Sequence, residues 1–242
     1  MTAVPERQLG VAPTYTLRAL AHLLSYPGAE LRALVPELKK VLADDGVLSK
    51  QRMLGLNKLL DSLVQRDPFA VEEDYVEMFD RGRATSLHLF EHVHGDSRDR
   101  GPAMIDLAQT YEKAGLFLGP DEMPDYLPVV LEFVSTQPPR EARAFLGEMA
   151  HIFNAIFNAL QQRNSLYASV LGALLELSGE KAHPVKVPVD EPIDTTWEEP
   201  VVFDGCSVKG QGKPDQSQPI HFIKTDAAKT KQKLAAPAGA TP

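Results

Sequence analysis

A chain of 242 residues with a formal net charge of −8 and a pI near 5.4 has an acidic balance, which disfavours nucleic acid and anionic lipid and favours a basic protein partner. Its 43% apolar share suffices for one packed core, and an aromatic share of only 7% favours a helix bundle over a β-sandwich. Cys206 is the sole cysteine, so the chain offers no intrachain disulfide and no thiolate set for a zinc or iron–sulfur cluster, and no run approaches the roughly 20 apolar residues of a membrane span.

With no secretory apolar stretch between Met1 and Gly10, residues 1–13 read as the flexible N-terminus of a cytoplasmic protein. From Thr14 onward apolar residues recur at helical spacing. Leu17, Leu20, Ala21 and Leu24 form one stripe, stopped by Tyr26-Pro27-Gly28. Leu31, Leu34, Leu38 and Leu42 continue the period, with Pro36 expected to break or kink the segment. Met53, Leu56, Leu60 and Leu63 make the next stripe. Asp67 reads as a cap, with Pro68 in the first turn of a helix that carries Val71, Tyr75, Met78 and Phe79.

A short segment, Thr85 to Val93, follows the break at Gly82. Met104, Leu107, Ala108 and Tyr111 define another helix, with Gly115 as its left-handed stop. Leu127, Val130, Leu131 and Val134 repeat the pattern. The longest predicted helix starts near Pro139 and runs through Phe145, Met149, Ile152, Phe153 and Ile156 to Leu160. A last one, Leu166 to Leu177, ends at Gly179. Residues 14–179 therefore read as a single all-α helical-bundle domain.

Beyond Gly179 helical periodicity disappears, and eight of the 19 prolines fall between 180 and 242. Such a segment buries too little apolar surface to offset the entropy of ordering, so 180–242 is expected to be a long, Pro-rich, mostly disordered tail. Two apolar patches interrupt it, Val201-Val202-Phe203 and Ile220-His221-Phe222-Ile223.

Four features bear on chemistry. His88-Leu89-Phe90-Glu91-His92 matches the H-x-x-E-H pattern of inverted zinc peptidases; on one helix His88 and His92 would share a face, which makes a zinc hydrolase using His88, Glu91 and His92 an alternative. A five-residue pattern arises often by chance, and a polar helix end bonded to neighbouring carboxylates explains it as well. The run Asp96-Ser97-Arg98-Asp99-Arg100 either grips a partner or starts the next helix at Asp99 with its arginines paired to nearby acids. The glycine-rich phosphate loop and the nucleophile elbow are both missing, so an enzyme is not expected and no cofactor is assigned. Finally, Tyr75, Met78, Phe79, Phe90, Tyr126 and Phe133 cluster beside the breaks at Gly82 and Pro128, with Asp80, Glu91, Asp125 and Glu132 among them. Singly such residues are core; together they suit an apolar groove with an anionic rim, the chemistry that holds a basic amphipathic helix.

Three stretches carry a resemblance. Tyr75-Val-Glu-Met-Phe79, followed by Ser86-Leu-His-Leu-Phe-Glu-His-Val-His-Gly-Asp-Ser-Arg-Asp-Arg-Gly101, resembles the signature of the nitrate reductase molybdenum cofactor assembly chaperones, the NarJ type. Pro124-Asp-Tyr-Leu-Pro-Val-Val-Leu-Glu-Phe133 resembles the hinge motif of the wider redox-enzyme maturation chaperones. The resemblance spans roughly residues 14–178, and pieces at 195–200 and 218–222 also look like the tail of this subgroup. It implies an all-α chaperone whose partner is the apo catalytic α subunit of nitrate reductase. That subunit would be bound by its N-terminal peptide and held for molybdenum cofactor and iron–sulfur insertion before membrane attachment. A chaperone for a dimethyl sulfoxide or trimethylamine N-oxide reductase is the alternative within the wider family, and the stretch from Ser86 to Gly101 favours the nitrate reductase subgroup. Carried over residue by residue, leader binding falls on Met78 and Phe79 and on the hinge pair Asp125 and Tyr126, where the family's His is Tyr. With the groove reading, the expected peptide-binding set is Tyr75, Met78, Phe79, Phe90, Glu91, Asp125, Tyr126, Leu127 and Glu132, with no metal and no catalytic residue.

Overall fold

Helical spacing of leucine and valine organises the molecule. The computed structural model describes residues 13–95 and 97–185, and its elements are α1 (Thr14–Leu24), α2 (Ala29–Asp45), α3 (Lys50–Gln65), α4 (Pro68–Phe79), a 3₁₀ turn (Arg83–Thr85), α5 (Leu89–Val93), α6 (Arg100–Lys113), α7 (Leu127–Ser135), α8 (Pro139–Glu148), α9 (Ala150–Gln162) and α10 (Ala168–Ser178). The fold is all-α, as expected. Among the described residues the only β-type pairing is one antiparallel bridge between His88 and Tyr126.

The core sits where α1 and α10 meet their neighbours. Helix α1 packs against α7, α2 and α10, while α10 also packs against α9, α8 and α3. Leu17, Leu20 and Leu24 from α1, Val130, Leu131 and Val134 from α7, and Val170, Leu171 and Leu174 from α10 are all buried. Each such side chain contributes about 1.5–3 kcal/mol through removal of apolar surface from water. No helix among the described residues is long and apolar enough to cross a membrane.

Several punctuation marks act as the residues demand. The Asp67 carboxylate accepts from the Ala70 amide at 3.1 Å, and Pro68 occupies the first turn of α4. Gly115 and Gly179 stop α6 and α10 at φ +80° and +87°, a region that L side chains rarely enter. Ser49 caps α3 and also donates to Glu176 of α10 at 2.8 Å, tying two packed helices at their ends.

Other expectations are corrected. Pro36 does not break its helix: α2 continues through it, because Pro36 lies on the exposed side, where water can satisfy the freed carbonyl. On the same helix Val35 is buried and Leu34 is exposed, a one-residue rotation of the stripe. The segment from Thr85 to Val93 is not one helix. Thr85 Oγ1 bonds back to the Met78 and Gly82 carbonyls, and Ser86 Oγ accepts from the His88 amide, so side chains take the places that helical bonds would fill. The long helix from Pro139 divides at Met149, where the Ile152 amide bonds to the Met149 carbonyl three residues back. Helix α10 starts at Ala168 rather than Leu166.

Residues 180–185 run without helix and are held on α9. Buried Asn154 exchanges two hydrogen bonds with the His183 main chain, each at 3.0 Å, and Asn158 adds a third at 3.0 Å. The N-terminal residues 1–12 and the rest of the tail, 186–242, with its apolar patches and Cys206, lie outside the described residues.

Candidate functional site

The connector from α6 to α7 brings Asp125 beneath the segment that precedes α5. Its side chain is 0% exposed, and a buried carboxylate is costly unless it is paired and hydrogen-bonded. Here it is both. Oδ1 lies 3.2 Å from His88 Nδ1, Oδ2 accepts from the Phe90 amide at 3.2 Å, and Arg100 Nη2 approaches Oδ2 to 3.8 Å. The Asp125 carbonyl accepts from the Leu89 amide at 3.0 Å, and the Leu127 amide donates to the Leu87 carbonyl at 2.8 Å. Asp125 therefore caps α5 twice, through Oδ2 and through its carbonyl oxygen, where the helix's own N-terminal residue His88 supplies no side-chain cap.

The same carboxylate sets the electrostatics of the site. Its hydrogen bond raises the pKa of His88 above the ordinary histidine value, against the opposing pull of burial and of Arg100. Arg100 also reaches Glu91 at 3.5 Å, so His88, Asp125, Arg100 and Glu91 form one connected chain of polar contacts. On its far side, Tyr111 donates to the Pro124 carbonyl at 2.8 Å, which fixes the connector to α6.

Tyr126 stands where the hinge motif carries histidine. Its ring lies 5.4 Å from that of His88, and its hydroxyl is 3.3 Å from that of Tyr75. Tyr75 in turn donates to the Leu24 carbonyl at 2.7 Å, closing the end of α1. Burial pushes the Tyr75 hydroxyl far above the usual tyrosine range, so it stays a neutral donor. An aromatic row continues through Phe79, 4.9 Å from Tyr75, to Tyr167, 5.0 Å from Phe79.

The nine expected peptide contacts differ in how far the fold covers them. Tyr75, Phe79, Asp125 and Leu127 are buried in this structure, because the stripe of α4 that includes Phe79 and the first turn of α7 face the core. Met78, Phe90, Glu91 and Tyr126 are half-buried, and Glu132 is exposed. The structure joins Asp125 to Phe90 directly and to Glu91 through Arg100. It does not bring Glu132 into that cluster.

Glu132 instead lines a cleft of about 360 Å³ between α1, α7 and the connector. Tyr111, Leu118, Val129 and Phe133 give it apolar walls, Glu122 and Glu132 stand as acids, and Arg18 and His22 come from α1. Phe117 lines it while 79% exposed. Sequence reading named Glu132 and Phe133 but missed Arg18, His22, Phe117, Leu118 and Glu122, although Leu116-Phe117-Leu118 directly after the Gly115 stop is an apolar run with no helix to bury it. A second cleft, about 470 Å³, is lined by Tyr26, Glu72, Glu73, Asp74, Val76, Glu77 and Arg81. Its acids are largely engaged: Glu72 with Tyr26 and Arg32, Asp74 with Arg66, and Glu77 with Arg81.

The zinc reading is corrected by geometry. His88 precedes α5 and turns Nδ1 to Asp125, whereas His92 Nε2 meets the Ser86 carbonyl at 2.8 Å, so the two rings do not share a helix face. Among the described residues no group of three or more His, Cys, Asp or Glu side chains is placed to hold a metal ion. The arginine-rich run starts a helix, as its plainer reading had it: Asp99 precedes α6 and Arg100 pairs with two acids. Asp99 does not cap with its side chain, which accepts from Ser97 Oγ instead.

The family model described as nitrate reductase delta subunit matches residues 28–171. The nitrate reductase molybdenum cofactor assembly chaperone NarJ of Escherichia coli K12 is 40% identical over 190 residues, which cover 74% of this chain and 80% of that protein. The NarJ counterpart of Bacillus subtilis 168 is 32% identical over 160 residues, 66% of this chain and 86% of that protein. A redox enzyme maturation protein from Archaeoglobus fulgidus, solved by crystallography, aligns at 19% identity with a TM-score of 0.49, over 74% of this chain and 99% of that chain. By the matched model and by its identity to NarJ over most of both chains, this chain belongs to the nitrate reductase delta subunit family, and within it to the NarJ-type chaperones rather than to any enzyme.

Proposed function

We propose that this chain is a system-specific assembly chaperone in the cytoplasm that binds the apo catalytic α subunit of respiratory nitrate reductase. It takes that subunit by its N-terminal segment and holds it for molybdenum cofactor and iron–sulfur insertion before membrane attachment. The observation that carries this reading is the 40% identity to NarJ over 190 residues. The chaperone itself brings no cofactor; the redox groups belong to its client.

The surface supports a peptide-holding role in two places. Met78, Phe90, Glu91 and Tyr126 form the half-open contacts, with Tyr75, Phe79, Asp125 and Leu127 supporting them from beneath. The cleft beside Phe117 and Phe133 offers apolar walls, and Glu132 at its edge meets the basic residues of an amphipathic helix. Each large apolar side chain buried there contributes about 2 kcal/mol before ordering costs.

The test is calorimetric titration of the full chain with a synthetic peptide from the N-terminus of its nitrate reductase α subunit. Saturable one-to-one binding is expected, weakened by Glu132→Gln and by Phe117→Ala. A heat trace indistinguishable from dilution at high micromolar peptide would sink the reading.

A further inference from the structure

A five-residue helix cannot hold itself together, because the first turn fixes several residues for a single hydrogen bond. Helix α5 is such a helix, and Leu89 is its only buried residue. What holds it comes from 35 residues away in sequence: the Asp125 carboxylate on the Phe90 amide and the Asp125 carbonyl on the Leu89 amide. The carboxylate itself has no exposure through which a partner could touch it. Around it, His88, Glu91 and Arg100 are partly exposed. Phe90 is half-buried, and Val93, at the other end of the helix, is 52% exposed.

We propose that Asp125 is a positioning residue, which caps α5 from across the chain so that Phe90 and Glu91 face the partner, and which makes no contact with the partner itself. This rests on the peptide-holding function above and assigns that site its internal organiser. Arg100 extends the same arrangement outward, since it spans from Asp125 to Glu91 and fixes the direction of that half-buried carboxylate. A direct charge contact and a positioning role differ in what asparagine can replace. Asparagine keeps an oxygen that accepts from the Phe90 amide but carries no charge for a basic partner residue.

Two measurements on the full chain decide it: amide hydrogen exchange of the unliganded protein, and calorimetric titration with the synthetic α-subunit peptide. Asp125→Ala is expected to weaken binding about tenfold and to speed exchange at Leu89 and Phe90 about tenfold, leaving the amides of α1 and α7 unchanged. Asp125→Asn is expected to recover affinity to within about threefold of the native chain. In a background carrying both Phe90→Ala and Glu91→Gln, Asp125→Ala is expected to cost no further affinity, because the contacts that it positions are already gone. A full tenfold loss in that background, or no recovery with asparagine, means that Asp125 meets the partner directly and overturns the proposal. Unchanged exchange at Leu89 and Phe90 overturns it as well. If Asp125→Ala does not fold, His88→Ala carries the same cycle with a loss of about threefold that vanishes in the background carrying Phe90→Ala and Glu91→Gln, and a loss that persists there overturns the proposal. A native chain that fails to bind the peptide retires the functional reading, and the exchange measurement then decides the positioning role by itself.

Discussion

Between α1 and α7 the contact is chiefly apolar: Leu17, Leu20 and Leu24 meet a face of Val130, Leu131 and Val134, all fully buried, with one polar tie from Arg18 Nε to Ser135 Oγ at 3.1 Å. The arm made of α5 and α6 is held differently. Tyr111 is the one fully buried residue of the 14 in α6, and Ile105 on the same helix is 59% exposed. The arm is fastened by directed bonds, those of Asp125 to His88, Phe90 and Arg100 and that of Tyr111 to Pro124. Burial of area is indifferent to pH and forgiving of small shifts, whereas a few polar bonds are neither. The core therefore sets global stability, and the arm opens at lower free energy.

That contrast can be broken most severely at Phe79. Phe79 is only 5% exposed and packs on Tyr75 and Tyr167. Phe79→Ala is expected to cost about 3–5 kcal/mol of global stability, read by urea denaturation. Lost peptide binding with unchanged stability would return Phe79 to the surface site. Tyr111→Phe is a smaller probe, expected to remove about 0.5–1.5 kcal/mol by deleting the bond to Pro124. Its effect should appear as faster exchange in α6 rather than as a shift of the core amides, and the reverse pattern would merge the two regions.

The pH test separates them without a large energy. The folded pKa of His88 is raised, chiefly by its hydrogen bond to Asp125. Its contribution is therefore fully present below the unfolded value of about 6.5 and is lost as pH rises through the higher folded value. Asp125, Glu91, Arg100 and Tyr126 face that ring. Protection factors at Leu89 and Phe90 should fall across that window while those of α1 and α7 stay level, and Asp125→Asn should flatten the dependence. Equal pH sensitivity in both regions would count against the comparison. The smallest change is expected at Ile105, where alanine should alter stability by no more than about 0.5 kcal/mol. A larger loss would show that α6 buries a face against something it does not meet here.

Much of the helical framework was legible in the residues. Asp67 with Pro68, and the glycines at 115 and 179, act locally, and their effect does not depend on what packs nearby. The leucine stripes of α1 and α3 face the core as their spacing requires. Less legible were Pro36, tolerated because it faces water, and Thr85 and Ser86, whose hydroxyls replaced a helical turn. The candidate site was legible in its composition but not in its layering. Periodicity marks Tyr75 and Phe79 as apolar, yet it cannot say whether their stripe faces the core or a groove.

The sequence by itself determined an all-α chain, most helix starts and stops, and, through the stretch from Ser86 to Gly101, the family. These follow from short-range rules: the helical period, capping chemistry and a run of residues read in order. Only the tertiary structure decided that Asp125 lies under α5 rather than on a rim, that His88 and His92 face different partners, and that Glu132 belongs to a separate cleft. Each of those depends on contacts between residues far apart in the chain or on the side from which a neighbouring element covers them, which spacing along one strand of sequence does not encode.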